Sequence, residues 1–214
     1  REDKLVLVVM GANWCHDSRA LAARLDTTPL SDIVSQHYET VFVDVGHLDK
    51  GRDVINSLGL PVFYATPTVL IVDPVSGRLV NADNRHQWAD AANISMEESV
   101  SYFEEFTSTD LAGLREDANS PAELSILLTD IDAFEATQAE RLYQAYAVLT
   151  PMLEAFDRGD KEQFSQETWD EIRQFRYKLA RDVDTLRSQA RRKVAVGETH
   201  IQLNYPTYPA FSWE

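Results

Sequence analysis

The sequence predicts an α/β sandwich, with a central mixed sheet of about four strands and flanking helices, followed by an α-helical hairpin extension. Three observations predict this. Short apolar runs rich in β-branched residues alternate with helical segments over the first half of the chain. These runs lack polar alternation, the pattern of strands buried on both faces in a parallel-rich sheet. Past residue 110 the strand-like runs vanish and a three-four apolar spacing takes over.

The first run, Leu5 to Met10, reads as a buried strand. Gly11-Ala12-Asn13 breaks it, and Asn13 is the expected cap of a helix that continues from Ser18 to Leu25. Val41 to Val45 is a second strand, and Gly51 to Leu58 a short helix closed by Gly59 and Pro61. Thr68 to Val72 is a third strand, which Pro74-Val75-Ser76-Gly77 turns into a fourth from Arg78 to Val80. Ser95-Met96-Glu97-Glu98 matches a capping box and opens a helix through Phe106.

Ser120-Pro121 is an N-cap and first-turn pair for the first long helix. Leu142, Ala145, Leu149, Met152 and Phe156 form its stripe, with a kink expected one turn before Pro151. After a turn at Arg158-Gly159-Asp160, a second helix aligns Trp169, Ile172, Leu179, Val183, Leu186 and Ala190, interrupted by Arg176. Each arm would be roughly 40 Å long. The expected divisions are a sandwich over 1–110, a hairpin over 111–197, and an extended aromatic tail over 198–214.

The chain has 214 residues and a net charge of -15, which argues against a nucleic-acid groove or a site for anionic membranes. Its hydrophobic content of 44% is enough for a real core and argues against wholesale disorder. The longest apolar run is too short to span a bilayer. One cysteine permits no internal disulfide, so cysteine usage leaves the redox compartment open. The leading Arg1 reads as the start of a processed or trimmed product.

A strand that runs into a cysteine at the first turn of a helix is a physical device. The unpaired N–H groups and positive dipole end there favour thiolate over thiol. Cys15 occupies that place; a protonated His16 would add to the effect and Asp17 would oppose it, with no net sign fixed by sequence. The alternative is a buried, inert cysteine.

The order strand, Trp14-Cys15-His16-Asp17-Ser18, helix, then Thr66-Pro67-Thr68 entering a strand resembles the thioredoxin family over residues 4–108, half the chain. The resemblance implies a thioredoxin-like sandwich in which Cys15 attacks disulfides. It also implies a cis Pro67 packed against the sulfur, and a Thr66 backbone offered to an extended substrate. Three departures stand out. Ser18 replaces the resolving cysteine, so an external thiol, glutathione or another protein's, must clear any mixed disulfide. Val9 stands where family members often keep a buried carboxylate. Only four residues precede the first strand, so the family's usual leading strand and helix are missing: either the chain is trimmed or another segment covers that flank.

Cys15, His16 and Asp17 with His47 or His86 lack metal-ligand spacing, so no metal and no cofactor is expected. Asp44 and Asp49 read as strand-end and loop residues. Arg85-His86-Gln87-Trp88 follows the hairpin, with a packing role for Trp88.

The leading functional reading is monothiol disulfide exchange: Cys15 as nucleophile, His16 and Asp17 as tuning groups, Trp14 and Ser18 completing the motif, and Thr66 and Pro67 holding substrate. Partners would be a thiol- or disulfide-bearing protein or glutathione, with Cys15 partly open to solvent. The alternative is a non-catalytic adaptor or chaperone-like module that recruits a partner, or a second copy, through its helical extension. Part of 120–214 is expected to pack on the first domain, burying Tyr205, Tyr208, Phe211 or Trp213 in the chain or in a dimer. Resemblance to similar bacterial proteins that carry a leader implies an exported or periplasmic location, with a cytoplasmic one as the alternative.

Overall fold

The computed structural model describes residues 4–82, 87–107 and 121–214. The expected boundary near residue 110, the Ser120 cap, and Arg85 and His86 lie outside these described residues. The chain divides into two compact units, Arg1–Gly46 with Lys50–Ala118, and His47–Asp49 with Asn119–Glu214.

In the first unit, β1 (Leu5–Gly11) lies between β2 (Tyr38–Asp44), to which it is parallel, and β3 (Thr68–Val72), to which it is antiparallel. Its helices are α1 (His16–Leu25), α2 (Leu30–His37), α3 (Arg52–Ser57) and α4 (Met96–Thr107). Because side chains alternate along a strand, β1 feeds two cores. Leu5, Leu7 and Val9 join Val69, Ile71, Leu21, Leu25, Trp88 and Phe103 in one cluster. Val8 and Met10 are buried on the opposite side. A Cβ on Gly51, which already sits at φ 81, would come within 2.9 Å of Met10 Cε, so the entry to α3 needs glycine.

Helix α2 went unread in the sequence; Leu30 and Val34, one turn apart, are its buried face, and Ile33 packs beside them. At α4 the capping box forms: Ser95 Oγ accepts from Glu98 N–H (3.1 Å) and the Glu98 carboxylate accepts from Ser95 N–H (2.8 Å).

The sheet has three strands among the described residues. In place of a fourth at 78–80, Leu79 makes an isolated bridge to Val72, and Val80 N–H donates to Ile71 carbonyl. Asn81 accounts for the difference. Its Oδ1 accepts from Ile71 N–H and its Nδ2 donates to Val69 carbonyl, both at 2.8 Å, so a side chain takes the sites a longer strand would use.

The second unit is built on α5 (Ala122–Asp157) and α6 (Gln166–Ala195), about 54 and 45 Å long at 1.5 Å per residue. Helix α5 runs unbroken through Pro151. Arg187, late in α6, binds Asp132 and Glu135, early in α5, while Phe164 meets Phe156 at the other end, so the helices are antiparallel. Leu142, Ala145 and Leu149 are buried as the stripe requires, but Phe156 is exposed and Leu153 and Ala155 end the buried face. Arg176 does not interrupt its stripe; it is buried among Tyr146 and Tyr177. The tail docks on this hairpin. Phe211 meets Phe175 edge-on at 5.3 Å and stacks on Trp213 at 4.5 Å, Tyr208 meets Phe175, and Tyr205 meets Phe134. The Arg141 guanidinium lies over both Phe175 and Phe211.

Candidate functional site

Strand β1 delivers the chain to Gly11, and a turn follows in which Cys15 N–H donates to Ala12 carbonyl at 3.1 Å. Cys15 then has extended backbone, φ -77 and ψ 125, and its carbonyl accepts from Arg19 N–H to start α1. The N-cap is therefore Cys15 and not Asn13, which is exposed and contributes only its carbonyl, to Arg19 Nη1. Ser18 is buried, and its Oγ accepts from Ala12 N–H at 3.3 Å, tying the end of β1 to α1. Gly11 permits this closeness, since a Cβ there would stand 2.8 Å from Ser18 Oγ.

Across from the helix terminus, the Thr66–Pro67 bond is cis, and Cys15 Sγ donates to Thr66 carbonyl at 3.0 Å. Thr66 and Pro67 are themselves buried. Thr68 Oγ1, at the start of β3, donates to Ala65 carbonyl and pins this approach. Cys15 is 8% exposed, more enclosed than the partly open thiol expected from sequence. The difference has a local cause: the S–H finds its partner in the Thr66 carbonyl rather than in solvent.

The neighbours of Cys15 divide by partner. Trp14 donates its indole N–H to Gly46 carbonyl at 2.7 Å, so the residue before the thiol is anchored to the loop after β2. His16 is exposed at the helix start. Asp17 accepts from Ala92 N–H at 2.9 Å and ties α1 to the irregular segment Gln87–Asn93. Trp88 packs in the core against Tyr102 and Phe103.

Cys15, Ser18, Thr66 and Pro67 are thus brought together, while the more distant candidates are not. Asp44 and Asp49 accept from the N–H groups of Gly46 and His47, capping the loop. His47 pairs with Asp157 at 2.8 Å within the second unit. No cluster of three His, Cys, Asp or Glu side chains among the described residues is arranged to hold a metal ion. No helix among them is long and apolar enough to cross a membrane. The roles of Gly46 and Ala92 rest on backbone groups, which carry no signal in the identity of a residue.

What remains is one thiol at a helix N-terminus, where N–H groups without helical partners gather, facing the carbonyl that precedes a cis proline. Such a site can form and release one disulfide at a time. No family model matches the chain, and no curated protein does. A solved structure of a disulphide isomerase from Xylella fastidiosa Temecula1 is similar to it, with 29% identity over 50% of this chain and 80% of that one, and a TM-score of 0.46.

Proposed function

We propose that the first unit is a thioredoxin-like monothiol module that exchanges disulfides through Cys15. The observation that carries this reading is the placement of Cys15 Sγ at the N-cap of α1, 3.0 Å from the carbonyl of Thr66 in a cis Thr66–Pro67 bond. The Cys15 thiolate attacks one sulfur of a partner disulfide; that S–S bond breaks, its other sulfur leaves as thiolate, and a Cys15–partner disulfide forms. Ser18 Oγ cannot attack this bond, so a second thiolate, from glutathione or another protein, displaces Cys15. An extended substrate would take its main-chain bonds from Thr66. His16, exposed beside Cys15, and Asp17, whose Oδ1 accepts from Ala92 N–H, are the side chains that tune the step.

A second reading has its own support. The thiol is largely covered and its S–H is satisfied, which suits a platform that binds partners without exchanging disulfides. Incubation with a disulfide-bonded peptide, followed by intact-mass analysis without reductant, separates the two. The exchange reading expects a one-to-one adduct on Cys15 that persists until a thiol is added, and a Ser18→Cys variant that releases it unaided. Absence of any adduct while iodoacetamide labels the same thiol would leave only the platform.

A further inference from the structure

The C-terminal ends of β1 and β2 and the first turns of α1 enclose a cleft of about 270 Å³. Every residue that lines it falls within Arg1–Gly46, so it belongs to the first unit by itself. Its walls follow from the sequence. Val9 and Phe42 are register partners on parallel strands and project to one face of the sheet. Ser18 and Ala22, one turn apart on α1, form the facing wall. Gly11, Ala12 and Ala22 are too small to fill the space between. Val9 is 3% exposed but Phe42 is 60% exposed, so one wall is an exposed aromatic ring. The cleft borders the thiol site. Ser18 lines it from within the Cys15–Ser18 motif, and a Cβ on Gly11 would stand 2.8 Å from Ser18 Oγ and 3.9 Å from Pro67 Cβ. Three polar side chains of the lining are already engaged. Ser18 Oγ accepts from Ala12 N–H, Arg19 Nη1 donates to Asn13 carbonyl, and Asp44 Oδ1 accepts from Gly46 N–H.

We infer that this cleft is a specificity pocket of the thiol site. It takes an apolar side chain flanking the reactive sulfur of a protein or peptide partner, and so selects such a partner over glutathione. An apolar cavity of about 150 Å³ holds a benzene ring, so this volume suits a leucine or phenylalanine side chain. Glutathione is charged at both ends and has no large apolar group, so it leaves Val9, Ala22 and Phe42 uncovered. The inference rests on the exchange reading of Cys15 and names its partner class.

The test uses the full chain and short peptides with one cysteine, activated as a disulfide with a common aromatic thiol. Attack by Cys15 on the peptide sulfur forms the adduct and releases the aromatic thiolate, whose absorbance gives the rate. Leu replaces Ser in turn at the two positions on either side of the peptide cysteine. At one of these positions Leu is expected to react about tenfold faster than Ser, the low end of what burying such a side chain is worth. Ala22→Leu, which fills the cleft from an exposed position, should cut that preference below about twofold and leave the rate with glutathione disulfide unchanged. Ala23→Leu, next on the helix but outside the cleft, should keep the preference in full. Should Ala22→Leu fail to fold, Phe42→Thr takes its place by removing the opposite wall, with the same loss expected. The inference is overturned if Leu and Ser react alike at every position, or if the preference survives the cleft variant. If no adduct forms at all, the exchange reading fails on its own. The pocket is then read from Cys15→Ser by fluorescence anisotropy, with the same peptides methylated at sulfur. Leu binding about tenfold tighter than Ser upholds it, and equal binding removes it.

Discussion

The side-chain amide of Asn81 replaces two peptide groups at the edge of β3, and its Nδ2 also reaches the Tyr102 hydroxyl at 2.9 Å. Asn81 is 2% exposed, so truncation would leave Ile71 N–H and Val69 carbonyl with neither protein nor solvent to pair with. Asn81→Ala is therefore expected to destabilise the first unit by about 2–4 kcal/mol, read from the urea midpoint. Asn81→Asp keeps the acceptor but loses both donors and buries a charge, and should fare no better. This residue also marks where sequence reading stops. The Trp14–Ser18 motif and Thr66–Pro67 are legible because their chemistry lies in consecutive residues. The pairs Asp17–Ala92 and His47–Asp157 span 75 and 110 residues, and no local pattern announces a partner at that distance.

Among the elements, β1, β3 and α4 follow from local rules, and α4 yields a prediction with a definite sign. Hydrogen bonds from the backbone and side chain of Ser95 hold the Glu98 carboxyl below its ordinary value of 4.5. A carboxyl depressed in the folded state adds stability above its unfolded pKa, and that stability is lost as pH falls through the folded value. Glu98→Ala should accordingly lower the urea midpoint at pH 7. The gap to wild type should close as pH drops below the usual glutamate range; a gap that widens toward acid would refute the box as its cause. Ser95, Glu98 and the apolar residues after them spell this cap in the sequence. Helix α2 has no such signal at its start, since Pro29 occupies the N-cap and no side chain bonds there. The fourth strand fails for the opposite reason: the turn is present, but Asn81 satisfies β3 first. Arg176 misled because a charge on an apolar stripe reads as a break, whereas the buried Tyr146 and the more exposed Tyr177 supply it with polar partners.

At the scale of the whole molecule, the two units have separate cores, and this sets how damage spreads. The first centres on Leu7, Val9, Val69, Ile71, Trp88 and Phe103. The second closes over Ile131, Leu142, Leu149, Leu179 and Val183, with Phe211 of the tail set beneath Arg141 and against Phe175. Removing a buried phenyl ring costs about 3 kcal/mol, from lost transfer energy and the cavity left behind. Phe211→Ala should spend that loss on the second unit, because among the described residues the ring contacts of Phe211, with Phe175, Trp213 and Arg141, lie within that unit. Hydrogen exchange read peptide by peptide in moderate urea can see this directly. Phe211→Ala is expected to speed exchange through α5 and α6 while β1, β3 and α4 keep the wild-type rate, and Asn81→Ala should do the reverse. Residues His47–Asp49 supply the internal control, since their contacts assign them to the helical unit despite their place between β2 and α3. Their amides should follow Phe211→Ala more closely than Asn81→Ala. If either variant speeds both units alike, the chain opens as one cooperative body and the division into two cores does not govern its stability.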